Sequence, residues 1–195
     1  HDFFGKEIER MARQKKIKTG FVKTEQPTIT KARIIGGRQQ IVRIDYEQQL
    51  ELSEKAREDL QTRLASLLQE HPTLIISDYG KGMITEELCT YLIKTAKLHG
   101  ARVIVDPKGK NWEKYAGADL ITPNVKELGD VIGHPVKNND PEITEAALEI
   151  IHRYGLSALL VTRSEQGMSL ISNQNILHLP THSQEGFDVS GAGDT

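Results

Sequence analysis

From residue 73 onward the chain repeats one pattern: a short apolar run, a polar residue at its end, then a stretch with helical spacing. The runs are Leu74-Ile75-Ile76-Ser77-Asp78, Val103-Ile104-Val105-Asp106, Leu120-Ile121-Thr122 and Ala158-Leu159-Leu160-Val161-Thr162. Between them, Thr85-Glu86-Glu87 opens a helix that Gly100 closes, Pro123 leads into a helix over 124–132, and a helix over about 141–154 ends at Gly155. Ahead of the first run, Ala56, Leu60, Leu64, Leu67 and Leu68 keep a helical period, with Ser53 to cap and Pro72 to stop. Residues 167–172 and 175–179 read as a closing hairpin. Strands this short and apolar, alternating with amphipathic helices, predict a parallel sheet covered on both faces.

Residues 28–46 stand outside that rhythm. Thr28-Ile29-Thr30-Lys31-Ala32-Arg33-Ile34-Ile35 and Arg38-Gln39-Gln40-Ile41-Val42-Arg43-Ile44-Asp45 flank Gly36-Gly37, a good two-residue hairpin signal. A loop of those two glycines places Thr30 opposite Arg43 and Thr28 opposite Asp45, giving one face two hydroxyls, a guanidinium and a carboxylate. A one-residue slip breaks that set. The division expected is therefore a projecting hairpin at about 28–46 and an α/β body at about 50–195.

Composition excludes several classes. The 195 residues carry 25 Lys+Arg against 27 Asp+Glu, a formal charge of −2, which leaves no basic stripe for nucleic acid. No apolar run approaches the roughly 20 residues that cross a bilayer. The single cysteine, Cys89, rules out an internal disulfide framework and fits a reducing compartment. No leader pattern stands at the start, and the expectation is a piece of a soluble cytoplasmic protein.

In open parallel sheets ligands bind beyond the carboxyl ends of the strands. Here those ends carry Asp78, Asp106-Pro107-Lys108, Thr122-Pro123-Asn124 and Thr162-Arg163. The sharpest segment is the last, Asp188-Val189-Ser190-Gly191-Ala192-Gly193-Asp194-Thr195. Gly-Ala-Gly lets backbone N–H groups approach an anion closely, and a helix starting there adds its positive end. A carboxylate just beyond would repel phosphate as a ligand but suits a general base beside a phosphoryl-transfer site. The alternative is a Gly-rich turn with Asp194 in the first turn of a helix. Neither G-x-x-x-x-G-K-[ST] nor a strand-following G-x-G-x-x-G occurs, so an ATP site must be built another way.

Residues 188–194 resemble the C-terminal signature of the ribokinase (PfkB) family of carbohydrate kinases, and Asn124-Val125-Lys126-Glu127 resembles its Asn-x-x-Glu motif. The stretches 77–82, 105–109, 122–124, 160–168 and the hairpin are similar to the heptose 7-phosphate kinase branch, which usually forms one half of a chain with an adenylyltransferase. The resemblance implies a three-layer ribokinase-like parallel sheet with a β-hairpin lid. It also implies ATP-dependent phosphorylation of the anomeric hydroxyl of D-glycero-β-D-manno-heptose 7-phosphate, on the way to ADP-heptose and lipopolysaccharide core.

By the same resemblance, Asp194 is the expected base, and the N–H groups of Gly191, Ala192 and Gly193 form an anion hole. Asn124, Val125, Lys126 and Glu127 hold the ATP phosphates, with Asn124 and Glu127 organising Mg²⁺. Lys108 and Arg163 are expected to touch ATP, or else to be solvated. Arg43, Asp45, Thr30 and Arg33 are expected on the sugar phosphate or as solvated strand residues, since Arg suits bidentate phosphate recognition. The position two before the motif asparagine, often Lys in this family, is Thr122 here.

The hairpin is the expected homodimer contact, and an adenylyltransferase domain the expected companion. Since the family's first strands and its region after Thr195 lie outside these residues, the 195-residue chain alone is expected to be a poor kinase. Two other readings stay open: another ribokinase-like sugar or nucleoside kinase, and a non-catalytic module with the same fold. His178 and His182 are split by Leu179-Pro180-Thr181 and are not expected to bind metal; Cys89 is expected in the core, and Trp112 and Tyr115 are expected to pack locally after the Gly-Lys loop.

Overall fold

The computed structural model describes residues 2–22, 24–37 and 39–181. The chain divides into two compact units, one of residues 1–63 with 81–83, the other of residues 64–80 and 84 onward.

The first unit opens with α1 (Phe3–Gln14), a helix the sequence reading did not anticipate. Asp2 caps it, accepting from the Gly5 N–H at 2.7 Å, and also accepts from the Thr28 N–H at 2.5 Å and the Thr28 hydroxyl at 2.9 Å. One carboxylate thus ties the helix start to the approach to the hairpin. The backbone bonds from Gly5 and Thr28 pull its pKa down to about 2.

The hairpin is β1 (Thr30–Gly36) and β2 (Gln39–Tyr46), as the Gly-Gly signal predicts, but in another register. Gly36 stays in the strand opposite Gln39, and the chain turns from Gly37, left-handed at φ 62°. A bulge then leaves Ile41 unpaired, because Ile35 faces Gln40 while Ile34 faces Val42. Together these shifts place Thr30 opposite Tyr46, so the expected grouping of Thr30 with Arg43 and Asp45 does not form. The two faces separate by chemistry instead. Lys31, Arg33, Arg43 and Asp45 share one, and Thr30, Ala32, Ile34, Val42, Ile44 and Tyr46 share the other.

The second unit carries the predicted α/β body: β3 (Thr73–Ser77), α3 (Glu86–Leu98), β4 (Arg102–Asp106), β5 (Leu120–Ile121), α4 (Val125–Ile132), α5 (Asp140–Tyr154), β6 (Ala158–Thr162), β7 (Met168–Ser172) and β8 (Ile176–Leu179). Helix α2 (Glu54–Leu68) spans the boundary between the units. The sheet runs in sequence order from β3 to β8, parallel through β6 and antiparallel for the β7–β8 hairpin. In register, Ile76, Val105, Ile121, Leu159 and Ile171 bury one face, against which α3, α4 and α5 pack. Ile75, Leu170 and Leu177 on the opposite face are exposed. The helices follow from local chemistry: Thr85 caps α3 above Glu86 and Glu87, Asn139 caps α5 ahead of Pro141, and Leu88, Leu92 and Ala96 form the buried stripe of α3.

The loop from β6 to β7 ends on Gly167, at φ 86° and ψ −126°, where a Cβ would lie 2.0 Å from the Leu179 carbonyl oxygen. Gly167→Ala is expected to destabilise the protein by about 2 kcal/mol or more, read as a lower urea midpoint at unchanged slope.

Candidate active site

The site begins where β5 ends. That strand has two residues, flanked by five-residue β4 and β6, so the chain leaves the sheet early. Two backbone bonds hold the exit: the Thr122 N–H donates to the Val105 carbonyl at 2.9 Å, and the Thr162 N–H to the Pro123 carbonyl at 2.8 Å. Asn124 is thereby set at the carboxyl edge, bridged to Thr162, as the first residue before α4.

Asn124 and Glu127 then hold each other. The Asn124 side-chain oxygen accepts from the Glu127 N–H at 2.8 Å, and the Glu127 carboxylate accepts from the Asn124 N–H at 3.1 Å. This is a reciprocal capping box, and the three-residue spacing that marks the family motif is the spacing such a box needs. Lys108 reaches the other carboxylate oxygen at 3.3 Å. Beside this cap lies a cleft of about 850 Å³, lined among others by Asn124, Val125, Lys126, Lys110, Thr162 and Ser164. Lys126 itself pairs with Asp130 at 2.8 Å and is largely exposed. Lys110 was missed by the sequence reading; its signal was the Lys108-Gly109-Lys110 loop at a strand end.

Arg163, expected at the nucleotide, is not presented to a ligand. It is 3% exposed, and its five N–H groups reach five acceptors: Asn138 Oδ1, the Asn138 carbonyl, Asp140, Gln166 and Ser169. With every donor engaged inside the protein, none remains for a phosphate.

Asp78 is buried too, bonded to Lys114 at 2.5 Å, to the Tyr115 hydroxyl at 2.6 Å and to the Gly80 N–H at 2.7 Å. Lys114 and Tyr115 lie 36 and 37 residues away, beyond any sequence spacing rule. Burial pushes the Asp78 pKa up, but the bonds from Lys114, Tyr115 and Gly80 outweigh it and hold the carboxyl below its ordinary 3.8. Burial and the Asp78 charge push the Tyr115 hydroxyl strongly upward, so it stays a donor. Cys89 is fully buried and its thiol is pushed up to about 11 by burial, the inert core residue expected. Trp112 and Tyr115 are fully buried; Trp112 bonds locally, to the Gly109 carbonyl, whereas Tyr115 reaches the distant Asp78. His178 Nδ1 lies 2.7 Å from the Ser169 hydroxyl, and among the described residues no group of three or more His, Cys, Asp or Glu could hold a metal. No described helix is long and apolar enough to cross a membrane. Gly191, Ala192, Gly193, Asp194 and His182 lie outside the described residues.

Comparison with known proteins gives the geometry a context. Residues 1–195 match the profile of the pfkB family carbohydrate kinases. The bifunctional protein HldE of Actinobacillus succinogenes is 41% identical over 196 residues, covering 100% of this chain and 40% of that protein. HldE of Paramagnetospirillum magneticum is 43% identical over 175 residues, covering 89% of this chain and 36% of the relative. The chain thus spans about two fifths of these relatives. Among solved structures, the tetrameric inhibited form of phosphofructokinase-2 from Escherichia coli aligns with a TM-score of 0.81 at 21% identity, over 99% of this chain and 64% of that one. Ribokinase from Giardia lamblia aligns at 0.76 and 18%, over 99% and 60%. At such identities these structures speak for the ribokinase-like fold alone.

Two outcomes are expected from these residues. Because the folded pKa of Asp78 lies below the unfolded one, its stabilisation is complete above the unfolded value and is lost as pH falls through the folded one. Asp78→Asn leaves the Lys114 ammonium half-buried without its counter-charge, so it should cost about 3 kcal/mol at pH 7 and flatten the acid limb in denaturation between pH 2 and 7. Asn124→Ala should cost about 1 kcal/mol through the lost cap, whereas Glu127→Gln keeps an acceptor for the Asn124 N–H and should unfold close to wild type.

Proposed function

The chain belongs to the pfkB family of carbohydrate kinases, and from that membership we propose that the protein carrying it transfers the γ-phosphoryl group of ATP to the anomeric hydroxyl of D-glycero-β-D-manno-heptose 7-phosphate. The product is the 1,7-bisphosphate, in the supply of ADP-heptose for lipopolysaccharide core. The observation that carries the reading is the capped Asn124–Glu127 pair at the carboxyl edge of the sheet, beside a cleft with Lys110 and Lys126 on its wall. The choice of heptose rests on the similarity of residues 77–82, 105–109 and 160–168, and is supported by the identity to the HldE proteins.

In this reading the N-terminus of α4, Asn124, Val125 and Lys126 receive the ATP phosphates, with Lys108 adding charge from the next strand end. A single carboxylate with an amide suits Mg²⁺, which keeps most of its waters and is shared with phosphates, better than an all-protein cage. Asn124 and Glu127 would hold the ion, whose chemistry when bound is to neutralise charge on the phosphates. Asp194 takes the proton from the anomeric hydroxyl, and the N–H groups of Gly191, Ala192 and Gly193 receive the transferring phosphoryl group.

The charged face of the hairpin is assigned to the sugar phosphate. Arg33 and Arg43 are directly opposite each other, an arrangement that repels unless an anion joins them. Arg43 also pairs with Asp45 at 3.0 Å, which fixes one guanidinium. Thr30, on the other face, is left out of this assignment. That apolar face, with Ile34, Val42, Ile44 and Tyr46 exposed, is assigned to a homodimer contact, and the longer protein to a cytoplasmic enzyme with a second, adenylyltransferase domain.

Assay of the full-length protein against heptose 7-phosphate, other sugar phosphates and nucleosides tests the substrate. Asp194→Asn is expected to lower kcat by about 10²–10⁴-fold while ATP still binds. Wild-type turnover in that variant overturns the assignment of the base.

A further inference from the structure

Two walls of the cleft beside Asn124 come from separate loops. Thr162 ends β6 and Ser164 belongs to the loop after it, while Pro135, Val136 and Asn138 belong to the connection between α4 and α5. Arg163 stands behind both. Its guanidinium donates to Asn138 Oδ1 at 2.9 Å and to the Asn138 carbonyl at 3.4 Å, while Asn138 Nδ2 donates back to the Arg163 carbonyl at 3.1 Å. The remaining donors anchor this clasp to Asp140 at 2.5 Å, Gln166 at 2.9 Å and Ser169 at 3.0 Å, and so to the start of α5, the loop itself and β7.

The loop needs such an anchor. Ser164 is a non-glycine residue in the left-handed region, at φ 52°, and such a conformation persists only where the surroundings over-determine it. The Arg163 N–H closes the loop onto the Gly167 carbonyl at 2.8 Å, and Gly167 is pressed against the Leu179 carbonyl. Ser164 is therefore held from behind by its neighbour and presented at the cleft.

We propose that Arg163 is a positioning residue of the nucleotide site: it touches no ligand, but its clasp on Asn138 fixes the Ser164 wall of the cleft against the Asn138 wall. This rests on the assignment of the cleft to ATP. The planar five-donor fork is the property required, because a lysine offers one flexible point charge and three donors from a single nitrogen. Arg163→Lys keeps the charge beside Asp140 and releases one or both walls.

The test uses the full-length protein and a non-hydrolysable ATP analogue, AMP-PNP, with titration calorimetry read beside circular dichroism and thermal unfolding. In Arg163→Lys the Kd for AMP-PNP and the KM for ATP are expected to rise about tenfold, with the KM for the sugar phosphate unchanged. Gln166→Ala, which removes one neutral acceptor and leaves the ion pair, should give about threefold and covers the case of an unfolded lysine variant. A purely structural role lowers Tm in both variants and leaves the Kd of the folded protein at wild type; that result overturns the proposal. So does an equal rise in both KM values. If wild type binds AMP-PNP but phosphorylates no sugar, the kinase reading fails and the two Kd ratios still decide the role of Arg163. If wild type binds no AMP-PNP, the positioning role falls together with the nucleotide assignment.

Discussion

The carboxyl edge of the sheet depends on the early end of β5. Two residues of strand, held between longer neighbours, release the chain while the sheet is still wide enough to bond it on both sides. The bonds from Thr122 to Val105 and from Thr162 to Pro123 carry it one step further, so that Asn124 starts a helix instead of a loop. A parallel sheet supplies this at low cost, because all its strand ends and the following helix starts point to one edge. The cap between Asn124 and Glu127 then makes the helix terminus rigid and leaves its dipole directed at the cleft.

Two buried charges support that edge from beneath. Asp78 and Arg163 each leave water at a desolvation cost of several kcal/mol, and isolated ion pairs seldom recover it. Here the cost is met by saturation: three donors on Asp78, five acceptors around Arg163. Each charge joins segments distant in the chain, the end of β3 to the turn after β4 in one case, the loops after α4 and β6 in the other. Apolar side chains could fill those volumes, but they would not fix direction and distance between loops as hydrogen bonds do.

What the sequence disclosed and what it hid divide along the range of the interactions. The strands, the helix starts at Thr85 and Asn124, and the existence of the hairpin are set within a few residues, and all were legible, whereas the equally local Asn139 cap of α5 was passed over for a start near 141. The Asn124–Glu127 cap is local, so the motif and its geometry coincide. The hairpin register was not legible, since it depended on which glycine turned and on a bulge at Ile41 that side-chain pattern does not announce. Arg163 read as a nucleotide ligand from its place after a strand. Only the folded arrangement brings Asn138, Asp140 and Ser169 around it. Helix α1 is local as well, since Phe4, Ile8 and Met11 keep a helical period behind the Asp2 cap, and that signal was passed over.

Saturation also separates cations that build from cations able to bind. A phosphate competes for donors, and a guanidinium with five internal acceptors has none to offer, whatever its position in a motif. Lys114 belongs with Arg163, because Asp78 and the Ile84 carbonyl hold its ammonium. The hairpin face is the opposite case: Lys31, Arg33 and Arg43 share it with one carboxylate, Asp45. A net charge of −2 therefore hides an uneven distribution: Asp78 and Asp140 sit on the structural cations Lys114 and Arg163, while three hairpin cations share a face with a single carboxylate. At physiological ionic strength fields between exposed charges fade within about 8 Å, so what a phosphate meets is the local set of donors and not the net charge.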